Sequence, residues 1–174
     1  MCGVLHLTKH LLTKEARRHV YHTLLYPSII YCNTVWAPVP PSKLKPLVVA
    51  HKRAVRILAG KPRYEHTNNL FIETKLLKLK EINIYFSTLF VYKCLNNIIQ
   101  NKFYTFRTNI RYTFREHSLL EVPHVRSNQS QTCITYCGAK IWNQLPLSLR
   151  TVPSLTSFKL NLKKYLLSSY HLDE

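Results

Sequence analysis

Apolar residues between Thr13 and Trp36 recur at the 3.6-residue spacing of an amphipathic helix. Thr13 is placed to cap this helix, since its hydroxyl can accept a hydrogen bond from a free amide of the first turn. Pro27 has no amide hydrogen for the carbonyl of Thr23, so we expect a kink that turns the second half across the core. The helical spacing of Tyr31 and Trp36 predicts buried, structural roles for them rather than a reactive site, and we assign Pro27 at the kink to the same core.

A second helix is predicted from between Lys43 and Pro46 to Gly60, which suits a left-handed cap at the carboxyl end. At about 100° per residue, its apolar residues form one stripe and its cations gather on the opposite side. His51 falls within the apolar stripe, where a neutral imidazole bonded to a neighbour is expected rather than a ligand or base. The cationic face consists of Lys45, Lys52, Arg53 and Arg56.

Beyond Gly60 the pattern alternates between helical and irregular stretches. Thr67 is a predicted cap for a short helix at 70–74, and a longer helix with two apolar faces is predicted at 80–96. Between 98 and 138 the helical period is lost. The alternation of residues in "FYTFRTNIRYTFREH" and in "QTCITYCG" predicts short strands there.

The last segment returns to helical spacing. Ser154 is a predicted cap for a closing helix, and we expect Trp142 and Phe158 in the core. The expected fold is mainly α, a single helical domain with a small β-strand or hairpin insertion. Its parts are a helical region (1–97), an irregular insertion (98–138) and a C-terminal segment with a helix (139–174), packed as one compact unit.

The charge balance of the chain is strongly basic. Its 25 lysines and arginines stand against 8 aspartates and glutamates, for a net charge of +17. Nucleic acid is the expected partner, because phosphates neutralised by Lys and Arg release counterions without any reading of sequence. The cationic face of the second helix continues into Lys61 and Arg63. The alternative is a solvated helix face without a ligand.

A second candidate surface is the stretch "KFYTFRTNIRYTFREH", in which aromatic and basic residues alternate. Its rings can stack on unpaired bases while Arg107, Arg111 and Arg115 meet the nucleic-acid backbone. Packing of the same rings in a strand core is the structural alternative. RNA or DNA, bound without sequence specificity, is therefore the predicted partner of both surfaces.

The residues that common catalytic sites require are scarce. Asp173 is the only aspartate, so a two-metal site, which needs carboxylates from separate elements, has few ligands to draw on. The three glycines are isolated, which argues against a phosphate-binding glycine loop, and no nucleophile elbow accompanies the histidines. We expect no catalytic residue, no cofactor and no enzymatic activity.

Cysteine and histidine offer one set of residues with the chemistry of a zinc site: Cys133 and Cys137, with His117 and His124 upstream. On a strand the two thiols would lie about 13 Å apart, so no metal is expected. The five cysteines lack paired spacing, which indicates a reduced intracellular setting, in the cytoplasm or nucleus. No apolar run reaches the ~18 residues of a membrane span, and we see no signal peptide.

Three stretches in order carry a resemblance to a known family: "LYPSIIYCNTVWA", "HKRAVRILAGKPRYEHTNNLF" with "LKLKEINIYFSTLFVYKCLNN", and "GAKIWNQLPLSLRTVPSLTSFKLNLKKYLL". Together they resemble the thumb and tail region after the polymerase core in reverse transcriptases of jockey-like, LINE-class non-LTR retrotransposons. In that family the catalytic aspartates lie upstream of the matched part.

The resemblance implies a catalytically inert C-terminal fragment of an RNA-directed DNA polymerase that retains nucleic-acid affinity. An upstream reverse transcriptase domain is a further implied partner. The alternatives are a protein-interaction scaffold that docks such a domain or an acidic partner, and a relic without function.

Overall fold

The computed structural model describes residues 11–100, 103–106 and 119–171. Helix accounts for 68% of these residues, and the mainly α fold expected from the sequence is confirmed. The helices, labelled in chain order, are α1 (Lys14–Val20), α2 (Tyr26–Ile30), α3 (Asn33–Trp36), α4 (Pro41–Ala59), α5 (Asn68–Thr74), α6 (Leu79–Leu95), α7 (Asn128–Gln131), α8 (Ile134–Gln144), α9 (Leu147–Arg150) and α10 (Leu155–Ser168).

The described residues group into two compact units, each with buried side chains of its own. The first unit comprises residues 11–33, 39–82 and 167–171, and the second comprises 34–38, 83–100, 103–106 and 119–166.

A π-helical turn, Tyr21–Leu25, separates α1 from α2. In this wider winding the amide of Tyr26 donates to the carbonyl of Tyr21. The π turn ends two residues before Pro27, where proline already removes one α-helical hydrogen bond. After α2 the helix breaks, because Cys32 takes a positive φ of 48°. The single kinked helix expected from the sequence is therefore three short helices and a π turn.

The predicted burial of Pro27, Tyr31 and Trp36 is wrong. Pro27 is exposed, Tyr31 is 76% exposed and Trp36 is half-buried. The wider winding of the π turn changes the helical phase before Pro27 and Tyr31, and the break at Cys32 changes it again before Trp36. These residues therefore no longer project onto the face on which that prediction depended. The buried side chains of this segment are Tyr21, Leu25, Ile29 and Asn33.

α4 supplies the longest buried face of the first unit. It ends as predicted at Gly60, which adopts a left-handed φ of 71°, and it begins at Pro41, earlier than expected. Its apolar side packs with residues from α1, the π turn, α5 and the C-terminal 3₁₀ turn, Ser169–His171. The buried cluster contains Tyr21, Leu25, Ala54, Val55, Ile57, Leu58, Leu70, Phe71, Leu76 and Tyr170.

The other predicted helices lie close to their expected bounds. α5 begins at Asn68 and ends at the expected Thr74, although the Thr67 side chain makes no capping hydrogen bond. α6 covers 79–95 where 80–96 was expected, and α10 begins directly after Ser154. Strong periodicity thus located these helices to within two residues.

The second unit is built around aromatic packing. Trp142 and Phe158 are 2% and 0% exposed, so their predicted burial is confirmed. The Phe158 ring stacks on that of Tyr92 with 4.1 Å between centroids. The Tyr92 hydroxyl donates to the carbonyls of Val152 and Pro153, which fixes the turn before α10.

The strand predicted for "QTCITYCG" is wrong, because these residues form the end of α7 and the start of α8. Gly138, Ala139 and Trp142 are buried along one side of α8. A Cβ at Gly138 would lie 2.5 Å from the Tyr104 hydroxyl and 2.9 Å from Val91 Cγ2. Burial of this closely packed side outweighs the strand preference of the β-branched residues before it.

The other strands expected between 98 and 118 fall largely outside the described residues. Within the residues that the structure describes, an isolated antiparallel bridge joins Phe106 and Leu120. The Asn143 amide secures this bridge to α8: it accepts from the Leu120 amide at 2.8 Å and donates to the Leu120 carbonyl at 2.9 Å.

Candidate nucleic-acid interface

α4 keeps its cations apart from its buried side chains. Lys45, Lys52 and Arg53 are exposed, and Arg56 is half-buried. Lys45, Lys52 and Arg56 recur at spacings of seven and four residues, which places them within about 40° of one another around the helix axis. The segregation expected from the sequence is present. The side chains buried on the opposite side are His51, Ala54, Val55, Ile57 and Leu58.

The exposed cations of α4 stand apart from the carboxylates that the structure describes. Within the described ranges, no Asp or Glu forms an ion pair with Lys45, Lys52 or Arg53. An ion pair of 3.2 Å between exposed side chains does join Lys14 of α1 to Glu73 of α5. The cationic side of α4 therefore keeps a field that attracts anions.

Arg56 acts as a positioning residue for the turn that follows α4. Its Nε donates to the carbonyl of Glu65 at 2.8 Å. Lys61 and Arg63 are exposed on this turn. The hydrogen bond from Arg56 holds their backbone against the end of the helix that carries the other cations. Lys61 and Arg63 thus extend the cationic side of α4.

Arg17 is a cation at this site that the sequence analysis missed. Its Nη1 donates to the carbonyl of Ile57 at 2.9 Å. A guanidinium at the carboxyl end of a helix is favoured by the helix dipole and by the free carbonyls there. Arg17 and Ile57 are 40 positions apart, so no local spacing could have revealed the contact.

Tyr64 was also missed. It follows Arg63 in the turn and is 90% exposed. The glycine, proline and asparagines of "GKPRYEHTNN" do signal a connection between helices. They carry no information on whether one ring within that connection packs inward or faces solvent.

His51 is part of the core and is not placed to serve as a base. It is 2% exposed, and its Nε2 lies 2.8 Å from the Tyr21 hydroxyl oxygen. Burial lowers the pKa of His51 to about 4 and raises the pKa of Tyr21. The expectation of a neutral, hydrogen-bonded core histidine is confirmed.

Cys133 and Cys137 are closer to each other at the start of a helix than they would be on the predicted strand. Cys133 caps α8 and Cys137 lies in its first turn, so the strand-based separation of about 13 Å does not apply. Hydrogen bonds from Thr135 lower the pKa of Cys133, whereas burial raises that of Cys137. Across the described ranges, no three His, Cys, Asp or Glu side chains converge on a metal position, and His117 lies outside those ranges.

The second candidate surface lies mostly outside the part of the chain that the structure describes. Arg107, Arg111 and Arg115 lie outside the described residues, and their predicted role stays a prediction. Phe103 and Phe106, at the start of the stretch, are exposed.

Comparison with known proteins adds no assignment: no family model, no curated protein and no solved structure matches the chain. None of the helices within the described residues has the length and apolar character of a membrane span.

Proposed function

We propose that the chain binds the sugar-phosphate backbone of RNA or DNA, without reading sequence, through the cationic side of α4 and the turn after it. One observation carries the proposal. Lys45, Lys52 and Arg53 are exposed opposite a buried stripe and have no carboxylate partner among the described residues. Lys61 and Arg63 on the turn add two more exposed charges.

The physical basis is counterion release. Each phosphate that a cation neutralises frees condensed counterions, so affinity falls as salt rises. With about four phosphates contacted, affinity for duplex DNA should fall about a hundredfold between roughly 50 and 200 mM salt. A ligand held by apolar or neutral contacts would not show this dependence.

Neutralising the face tests the proposal. In the triple variant Lys45→Gln, Lys52→Gln, Arg53→Gln, the slope of log affinity against log salt is expected to fall by about 2 to 3. Fluorescence anisotropy with labelled RNA and DNA of several sequences measures the slope.

The matched control removes three exposed lysines of α10, through Lys159→Gln, Lys163→Gln and Lys164→Gln. It carries the same loss of charge and is expected to keep most of the slope. Equal losses in the two triple variants, or no binding of either nucleic acid by the unaltered chain, would overturn the proposal. An affinity for acidic protein in place of nucleic acid would favour the scaffold alternative.

The resemblance described above extends the proposal. We take the chain to derive from the region after the polymerase core of a non-LTR retrotransposon reverse transcriptase, and to bind nucleic acid without catalysing its synthesis. The single aspartate, Asp173, supports the second part, since polymerase chemistry needs paired carboxylates. Incorporation of nucleotides by the purified chain in a primer-extension assay would contradict it.

A further inference from the structure

The turn after α4 is held in one conformation by hydrogen bonds at both ends. Gly60 takes a left-handed φ of 71°, and the amide of Lys61 donates to the carbonyl of Arg56 at 2.9 Å. This closure satisfies carbonyls that a helix end leaves free. The chain therefore leaves α4 in a fixed direction.

The next residues are constrained as well. Pro62 restricts its own backbone angle, and its carbonyl accepts from the amide of Glu65 at 3.3 Å. The Glu65 carbonyl in turn accepts from Arg56 Nε at 2.8 Å. We call residues 61–65 the tyrosine turn, because these bonds fix the backbone on both sides of Tyr64.

The tyrosine turn presents a ring to solvent. Tyr64 is 90% exposed, whereas the first unit buries Tyr21 and Tyr170 in its core. Lys61 and Arg63 are exposed on the same five-residue turn. An exposed aromatic ring beside cations is the combination that single-stranded nucleic acids meet on their binding proteins, where bases stack on rings and cations follow the backbone.

The paired state of the nucleic acid decides whether such a ring can be used. In a duplex the base faces are covered by their neighbours, and only phosphates and groove edges are presented. In a single strand a base can leave its neighbours and stack on a protein ring. Stacking therefore discriminates by strandedness, while the cations of α4 bind both forms.

We propose that Tyr64 is a base-stacking residue that gives the cationic side of α4 a preference for unpaired RNA or DNA over duplex. This inference rests on the proposed function. It adds a discrimination between single strands and duplexes to a site that otherwise recognises only phosphate charge. The tyrosine turn sets the position of the backbone that carries the ring, and the hydrogen bond from Arg56 to the Glu65 carbonyl helps to hold that backbone.

The experiment compares Tyr64→Ala, Tyr64→Phe and the unaltered full chain. The probes are a labelled oligothymidylate of about twelve nucleotides and a blunt duplex of the same length, titrated by fluorescence anisotropy at fixed salt. Loss of one stacked base in Tyr64→Ala is expected to weaken single-strand binding about tenfold and to leave duplex binding within about twofold. Tyr64→Phe keeps the ring face and is expected to bind both probes as the unaltered chain does.

Tyr31→Ala is the matched control. Tyr31 is also highly exposed in the first unit, but it has no lysine or arginine within four positions on either side. It is expected to change neither affinity. Circular dichroism of each variant verifies the helical fold.

The outcomes separate the two proposals. If the unaltered chain binds neither probe, the proposed function fails. If it binds both, and Tyr64→Ala leaves the single-strand affinity unchanged or weakens both probes equally, the cationic side of α4 stands and the stacking role of Tyr64 is overturned. Weakening of single-strand binding in Tyr64→Phe as large as in Tyr64→Ala would also overturn it, because the hydroxyl and not the ring would then carry the effect.

Discussion

His51 and Tyr21 form a polar pair inside an apolar core, with 2.8 Å between Nε2 and the hydroxyl oxygen. The pair satisfies two groups that would each cost free energy if buried alone. Burial lowers the pKa of His51 from its ordinary 6.5 to about 4. Between about pH 4 and pH 6.5, His51 therefore stays neutral in the folded chain but is protonated in the unfolded chain.

This difference makes stability depend on pH. Below about 6.5 the unfolded chain gains a proton at His51 that the folded chain gains only below about 4. The contribution of neutral His51 to the free energy of unfolding is complete above pH 6.5 and is lost as the pH falls toward 4. We expect a loss of about 3 kcal/mol in the free energy of unfolding from this residue between pH 7 and about 4.

Urea unfolding of the unaltered chain and of His51→Gln across this range measures the effect. Glutamine can place an amide near the Tyr21 hydroxyl but does not titrate, so the pH dependence of the variant should be shallower by the stated amount. If the free energy of unfolding changed equally with pH in the two chains, the expectation would be contradicted.

At the scale of elements, the sequence predicted those helices whose amphipathic or apolar pattern is long. The end of α4 at Gly60 and the bounds of α6 follow from such patterns. The break at Cys32 was missed, because a non-glycine residue with positive φ leaves no sequence signal. α8 was missed because the window that predicted a strand stopped at Gly138, before Ala139 and Trp142 complete the buried side.

Gly138 decides how closely α8 packs, and this gives a prediction for Gly138→Ala. Alanine is the better helix former by about 1 kcal/mol. Its Cβ would nevertheless meet the Tyr104 hydroxyl at 2.5 Å and Val91 at 2.9 Å. Overpacking of this kind costs about 1 to 3 kcal/mol, so we expect a net loss of about 1 kcal/mol in the free energy of unfolding.

Chemical denaturation of Gly138→Ala, Tyr104→Phe and the double variant tests the cause. The Tyr104 hydroxyl also donates to the carbonyl of Ile134 at 2.8 Å, so Tyr104→Phe is destabilising by itself. Removal of the hydroxyl should relieve the crowding at position 138. The double variant should then be more stable than the sum of the single effects predicts. If the two effects on the free energy of unfolding simply add, the Tyr104 hydroxyl is not the source of the crowding.

At the scale of the whole molecule, charge dominates. With 25 lysines and arginines and 8 acidic side chains, at least 17 cations lack a one-to-one carboxylate partner. The sequence was sufficient to predict this excess and the gathering of four of these cations on one side of α4. It did not predict Arg17 or Tyr64 at the same site, because their positions depend on the tertiary contact to Ile57 and on the backbone bonds of the tyrosine turn.

The same excess predicts that salt stabilises the fold, whereas it would weaken the proposed binding of nucleic acid. Repulsion among unpaired cations opposes the compact state, and it is screened as the Debye length falls from ~30 Å at 0.01 M to ~8 Å at 0.15 M. We expect the melting temperature to rise by a few degrees over this range. Calorimetry of the protein alone measures it, and a melting temperature that is flat or falls with salt would contradict the expectation.

The contact between Arg17 and Ile57 has a consequence for how a long polyanion can lie on the protein. Carbonyl oxygens at the carboxyl end of a helix carry partial negative charge and repel phosphates. A guanidinium at the Ile57 carbonyl replaces that repulsion with attraction at the last turn of α4. If a nucleic-acid strand binds along α4 as we propose, it would meet no repulsive helix terminus between Lys45 and Tyr64.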